Sequence, residues 1–158
     1  MKNLLTTLTA ALCALFCASA QDISLGRLTA DGNRVYVEFI DVRNNIEDDA
    51  KPFIAALKGP EWNRWQVVGD KADADFVLRI RVEKKGSGFS ISWGARMFTT
   101  VSILTTDGRE LWRAKLQKGR ASEFTGFNAQ ADAARKVVRR SLGEELQEAI
   151  TAENGKNE

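Results

Sequence analysis

The chain contains no histidine, and its only two cysteines, Cys13 and Cys17, lie within the first 20 residues. Without imidazole there is no Ser-His-Asp relay, no histidine general base and none of the common histidine-bound zinc or copper sites. Tyr36 is the single tyrosine. A catalyst built from this chain is restricted to Asp, Glu, Lys, Ser or that one phenol.

The amino-terminal segment has the charge and hydropathy order of a secretory signal. Lys2 is followed by an apolar run from Leu4 to Phe16, interrupted only by Thr6, Thr7 and Thr9, and then by Ala18-Ser19-Ala20. Small residues fall at both positions a signal peptidase reads. The apolar run is short for a bilayer span, which needs about 20 residues. Bulky Leu12 and Phe16 precede the two cysteines, whereas a lipidated cysteine follows a small residue. Residues 1–20 are therefore expected to be a cleaved signal peptide, with a periplasmic or secreted, non-lipidated product.

Cleavage after Ala20 removes every thiol. Residues 21–158 then enter an oxidising compartment with no disulfide, no thiolate nucleophile and no cysteine metal ligand. Lys2 is the sole charged side chain removed, so the formal net charge falls from +2 to +1. Bulk charge favours neither nucleic acid nor an anionic membrane, and no later stretch is apolar enough for a membrane span. The length suits one domain, expected over 21–150 with a polar, frayed tail at 151–158. No internal repeat or linker divides it.

Ile23–Thr29 reads as a weak strand and Asp31-Gly32-Asn33 as a turn. Arg34–Ile40 alternates as a half-buried strand. Asn44-Asn45 suits a helix cap, and Glu47, Asp48 and Asp49 suit the positive end of its dipole. Pro52 places the regular helix near Asp49 onward, and Gly59-Pro60 ends it. Trp65, Val67 and Val68 form a short strand. Phe76, Leu78, Ile80 and Val82 define the inner face of the clearest strand. A long strand follows a loop at Lys84–Gly88, with Phe89, Ile91, Trp93, Ala95, Met97, Thr99, Val101 and Ile103 on one face.

Asp107-Gly108 is a two-residue hairpin signal. In that register Leu104 pairs with Leu111, Ile103 with Trp112, Val101 with Ala114 and Thr99 with Leu116. After Arg120 the chain then reads as loop through Phe127. Asn128 opens a long amphipathic helix with Ala131, Ala134, Val138, Leu142, Leu146 and Ala149 on its apolar stripe and Arg135, Lys136, Arg139 and Arg140 beside or opposite it. The fold class expected is α+β: a two-layer sandwich of a mainly antiparallel sheet of four to five strands with two helices packed on one face. Its core is expected to hold Phe76, Leu78, Ile80, Trp93, Met97, Trp112 and Val138.

Few motifs carry chemistry. Asp70, Asp73 and Asp75 lack the glycine and distal glutamate of a calcium loop and read as turn and cap residues. Gly86-Ser87-Gly88 lacks the lysine and hydroxyl of a phosphate loop. Glu38, Asp41, Glu47, Asp48 and Asp49 supply carboxylates of the type a glycosidase uses, without a visible cleft. Trp62 and Trp65 flank Arg64 and either form an exposed platform or close the core. No catalytic, cofactor-binding or metal-binding residue is assigned.

The outer sheet face carries the one candidate surface. Alternation places Arg79, Arg81, Arg96, Phe98, Arg113 and Lys115 there, with Tyr36 nearby. In the expected register Ser102 faces Arg113 and Thr100 faces Lys115. Five cations on one face suit an anionic partner. The competing reading is a sheet face kept in water by its charges.

Ala72-Asp73-Ala74-Asp75-Phe76-Val77-Leu78, then Ile103-Leu104-Thr105-Thr106-Asp107-Gly108-Arg109-Glu110-Leu111-Trp112-Arg113-Ala114, then an alanine-rich terminal helix, resembles small bacterial envelope domains. These include the amino-terminal domain of TolB and the CsgG-like outer-membrane assembly proteins. The resemblance covers roughly residues 34–150 and implies non-catalytic binding or assembly within the envelope. The chain lacks TolB's propeller and the lipidated cysteine typical of CsgG relatives, so neither Tol-type function nor pore formation is implied. The function expected is an exported, soluble, non-catalytic accessory protein that binds another envelope component. A carboxylate-based cell-wall hydrolase and a binder of an anionic envelope polymer are the alternatives. No cofactor, nucleic acid or membrane span is expected, and self-association stays open.

Overall fold

The computed structural model describes residues 23–43, 49–85, 96–121 and 128–156. The signal segment 1–20, the Asn44-Asn45 cap, Glu47, Asp48, the Gly86-Ser87-Gly88 loop and the strand positions Phe89, Ile91, Trp93 and Ala95 lie outside the described residues. In chain order the elements are α1 (Leu25–Leu28), β1 (Arg34–Asp41), α2 (Lys51–Lys58), β2 (Gln66–Val68), β3 (Phe76–Lys85), β4 (Arg96–Leu104), β5 (Glu110–Arg113) and β6 (Gln117–Arg120). A long helix closes the chain: α3 (Ala129–Lys136), a π-wound segment (Val137–Leu146) and α4 (Gln147–Asn154), with helical backbone at both joins.

The sheet order is β2-β1-β3-β4-β5, and β6 joins β4 beyond β5. The sheet is mixed: β1 is parallel to both β2 and β3, while β4 is antiparallel to β3, β5 and β6. A parallel neighbour requires a crossover, and α2 supplies the one between β1 and β2. The class is α+β, as expected.

Period-two alternation sets the core. Val35, Phe76, Leu78, Ile80, Val82, Met97, Val101 and Ile103 point to the face covered by α2 and the long helix, which contribute Phe53, Leu57, Ala133, Val138, Leu142 and Leu146. Trp112 packs against this cluster only partly buried. Both Trp62 and Trp65 are buried. Their rings meet edge-on with centroids 5.0 Å apart, and Trp65 meets Phe76 edge-on at 4.9 Å. They close the core rather than form a platform, and the Trp65 indole N–H donates to the Thr29 carbonyl at 2.9 Å.

Some local features differ from the sequence expectation. Leu25–Leu28 is a helical turn, not a strand. Ser24 caps it, and Glu153 on α4 accepts the Leu25 and Gly26 N–H groups at 3.1 and 3.3 Å. This long-range cap also explains why α4 continues to Asn154 through residues expected to form a frayed polar tail.

The hairpin loop is Thr106-Asp107-Gly108 rather than Asp107-Gly108 alone. Thr105 N–H donates to the Arg109 carbonyl at 2.9 Å, and Gly108 has φ +95°. A turn followed by a left-handed glycine lengthens the loop by a residue. Leu104 therefore pairs with Glu110, and a bulge between Leu104 and Ile103 restores the expected Ile103–Trp112 pair. The expected Val101–Ala114 contact is also present, with Ala114 N–H donating to the Val101 carbonyl at 2.8 Å.

Beyond Ala114 the edge slips once more. Thr99 pairs with Gln117, not Leu116. Leu116 is 62% exposed while Gln117 is 7% exposed. Glu145 on the helix accepts both the Lys115 N–H at 2.7 Å and the Gln117 side-chain amide at 3.0 Å. That carboxylate gives the buried amide its partner, and the irregular stretch links β5 to β6.

Candidate ligand-binding face

Register places the outer face residue by residue. Glu38 pairs with Arg79, Arg79 with Ser102, and Ser102 with Arg113. The next row holds Ile40, Arg81 and Thr100, then Glu83, Phe98 and Lys118, then Arg96 and Arg120. Arg79, Arg81, Arg96, Phe98 and Arg113 thus share one face. Lys115 does not stand in the ladder opposite Thr100; it sits in the irregular stretch held by Glu145.

Carboxylates occupy two of these cations. Arg79 forms an ion pair with Glu38, and Arg113 meets Glu110 with its closest contact at 2.8 Å. The Arg113 guanidinium, above all, holds the Glu110 carboxyl below its usual range. Burial opposes this, while a hydrogen bond from Ser102 and the charge of Arg79 reinforce it. This half of the face is a charge-balanced polar ladder.

The other half is not balanced. Among the described residues no carboxylate pairs with Arg81, Arg96 or Lys118. The charge of Arg96, with lesser contributions from burial and Arg120, pushes the Lys118 ammonium below the ordinary lysine range. Like charges this close disfavour one another's protonated form. The Lys118 ammonium lies 5.7 Å from the centre of the Phe98 ring, where the aromatic face offsets part of the crowding.

Sequence alternation does not find Lys118 and Arg120, because Gln117-Lys118-Gly119-Arg120 offers no apolar strand pattern. Gly119 explains the gap. A Cβ there would lie 2.8 Å from the Ala133 Cβ, so β6 presses its backbone directly on α3. A strand that packs through a glycine against alanines carries no hydrophobic periodicity.

The same close approach ties the face to the helix. Asp132 accepts the Arg120 N–H at 2.8 Å, and Lys136 donates to the Lys118 carbonyl at 2.8 Å. Asp132 and Lys136 also pair with each other at 2.7 Å. Beside them Arg135, Lys136, Arg139, Arg140, Asp132 and Glu144 line a half-open depression of about 370 Å³.

The remaining motifs have local roles. Asp70 caps the turn after β2 by accepting the Ala72 N–H at 2.9 Å. Asp75 accepts from the Arg34 backbone at 2.7 Å and its guanidinium at 3.0 Å, and this bonding holds the Asp75 carboxyl below its usual range. Among the described residues no group of three or more His, Cys, Asp or Glu is placed to hold a metal ion. None of the described helices is long and apolar enough to cross a membrane.

No protein-family model and no curated protein matches the chain. Solved structures resemble it in part. A PelC dodecamer from Paraburkholderia phytofirmans, solved as a point variant, is 15% identical, covers 69% of this chain and 88% of its own, and gives a TM-score of 0.47. A minor lipoprotein from Acinetobacter baumannii is 13% identical over 72% of this chain and 94% of its own, at 0.42. A putative neuraminyllactose-binding hemagglutinin homolog from Helicobacter pylori is 10% identical over 81% and 91%, at 0.40. None of these three is TolB or CsgG.

Proposed function

We propose that this chain is an exported accessory protein of a bacterial cell envelope that binds another envelope component and performs no catalysis. The signal-like order of residues 1–20 and the absence of histidine and of any later cysteine support this reading. The observation that carries it is the crowding of Lys118 by Arg96, with Arg81 on the same exposed sheet face and, among the described residues, no carboxylate paired with any of the three, in a chain whose net charge is close to zero. Charges that crowd one another cost stability when the partner is absent, and an anionic partner relieves that cost.

The test is a photo-crosslinking amino acid placed at Arg81 and, separately, at Lys58 on α2, in intact cells of the source bacterium. The expected result is a discrete adduct from position 81 and none from position 58. A chain that stays alone from both positions, or is trapped only through position 58, overturns the proposal.

A further inference from the structure

The cationic cluster does not stop at the sheet. Arg135, Arg139 and Arg140 are exposed on the long helix, and among the described residues no carboxylate pairs with them. Residues four and five apart stand side by side where a helix widens towards π winding, so Arg135, Arg139 and Arg140 share one depression. This depression adjoins β6. The links are the Asp132–Arg120 and Lys136–Lys118 hydrogen bonds that cross from helix to strand. A basic band therefore runs from Arg96 and Lys118 on the outer face, around the β6 edge, to the helix arginines, with the Asp132–Lys136 ion pair and Glu144 lying within it.

Resting on the envelope-binding reading above, we infer that this band is the seat of a linear anionic polysaccharide bearing carboxylates, gripped at both ends of the band at once. Three features favour such a polymer. The depression is half open and adjoins the β6 edge, so a chain can lie along it and continue onto the sheet. Arginine forks match carboxylates in bidentate geometry. A protein partner needs an interface core depleted of charge, and among the described residues the exposed large apolar side chains are Ile23, Val42 and Leu116, none of them among the band's cations or the depression's lining.

The experiment is fluorescence anisotropy of labelled alginate fragments with the purified protein, using a disaccharide and a long oligomer at low and at near-physiological salt. Simultaneous engagement of two clusters predicts that the long oligomer binds about a hundredfold tighter than the disaccharide, and that salt weakens it. Arg135→Gln/Arg139→Gln/Arg140→Gln and Arg96→Gln/Lys118→Gln should each erase most of that length dependence, with circular dichroism unchanged. Lys58→Gln/Lys71→Gln should leave it intact. Equal affinity for short and long fragments, or wild-type binding by the helix variant, overturns the inference. Stronger retention on phosphatidylglycerol vesicles than on alginate also overturns it, in favour of a membrane surface. If alginate fails while the crosslinker at position 81 still traps an envelope protein, the polymer is excluded and the accessory role stands. If both fail, both readings fall.

Discussion

One oxygen of Asp132 accepts both the backbone N–H of Arg120 at 2.8 Å and the ammonium of Lys136 at 2.7 Å. Lys136 in turn donates to the Lys118 carbonyl. A helical ion pair thus satisfies a donor and an acceptor of the edge strand β6. Unpaired edges recruit other strands. Asp132→Ala is expected to destabilise the protein by about 1.5–3 kcal/mol in urea unfolding, the range for a hydrogen bond to a charged group. It should also introduce concentration-dependent self-association, read by light scattering. Asp132→Asn, which keeps an acceptor, should show less of both.

Gly119 is required by close approach. An added Cβ would lie 2.8 Å from the Ala133 Cβ and 2.9 Å from its backbone nitrogen. Backbone atoms cannot yield as a flexible side chain would. Gly119→Ala is expected to cost about 1–3 kcal/mol through overpacking, read as a lowered thermal midpoint. An unchanged midpoint would show that β6 is not pressed on α3.

Leu116 and Ile103 separate the observed edge from the regular hairpin. Leu116 is exposed and Ile103 is fully buried. Leu116→Ala should change stability by about 0.5 kcal/mol or less, and Ile103→Ala should cost about 2–5 kcal/mol. A regular hairpin would make both substitutions costly, and urea unfolding of the pair decides between the two registers.

Acid stability follows from three carboxyls. Arg34 lowers Asp75, Arg113 lowers Glu110, and the Thr105 hydroxyl lowers Asp107. A folded-state value below the unfolded one means the stabilisation is present above the ordinary carboxylate range, near about 4, and is lost as pH falls through the folded value. The unfolding midpoint should therefore drop as pH is lowered from about 5 to about 2, and Asp75→Asn with Glu110→Gln should flatten that slope. Lys118 is also depressed, so its charge opposes folding at neutral pH and is relieved as pH rises through its folded value. Lys118→Gln should raise the midpoint slightly at low salt, with the gain shrinking as salt screens its neighbours.

Glu153 ties the two ends of the described chain together through Leu25 and Gly26. Glu153→Ala should speed amide hydrogen exchange in Leu25–Leu28 and leave β3 and β4 protected. Equal protection in α1 before and after the change would mean that Ser24 alone sustains the turn.

Much of the fold was legible because its core elements obey simple periods. Phe76-Leu78-Ile80-Val82 alternates, and Val138-Leu142-Leu146 recurs at helical spacing, so both faces could be assigned without tertiary knowledge. The α1 turn was not legible, since its decisive cap comes from Glu153 at the far end of the chain. Arg79, Arg81, Arg96, Phe98 and Arg113 were placed on one face by alternation alone. Lys115 was misplaced, because the slip beside it depends on Glu145 reaching across from the helix.

The sequence by itself determined the absence of imidazole, the loss of thiols if residues 1–20 are removed, the hydrophobic periods of the strands and long helix, and the crowd of basic residues on the outer sheet face. Those are properties of residue type and spacing. Only the tertiary structure decided which charges are compensated. Arg79 found a carboxylate on the neighbouring strand and Arg113 one on its own, while Arg96 and Lys118 met further cations. It also decided that β6 is a strand at all, since a Gln-Lys-Gly-Arg stretch becomes one only when a bare glycine backbone fits against the alanines of a helix. The physical reason is the same in each case: alternation fixes the direction of a side chain, but the groups around it are set by how the folded segments come together.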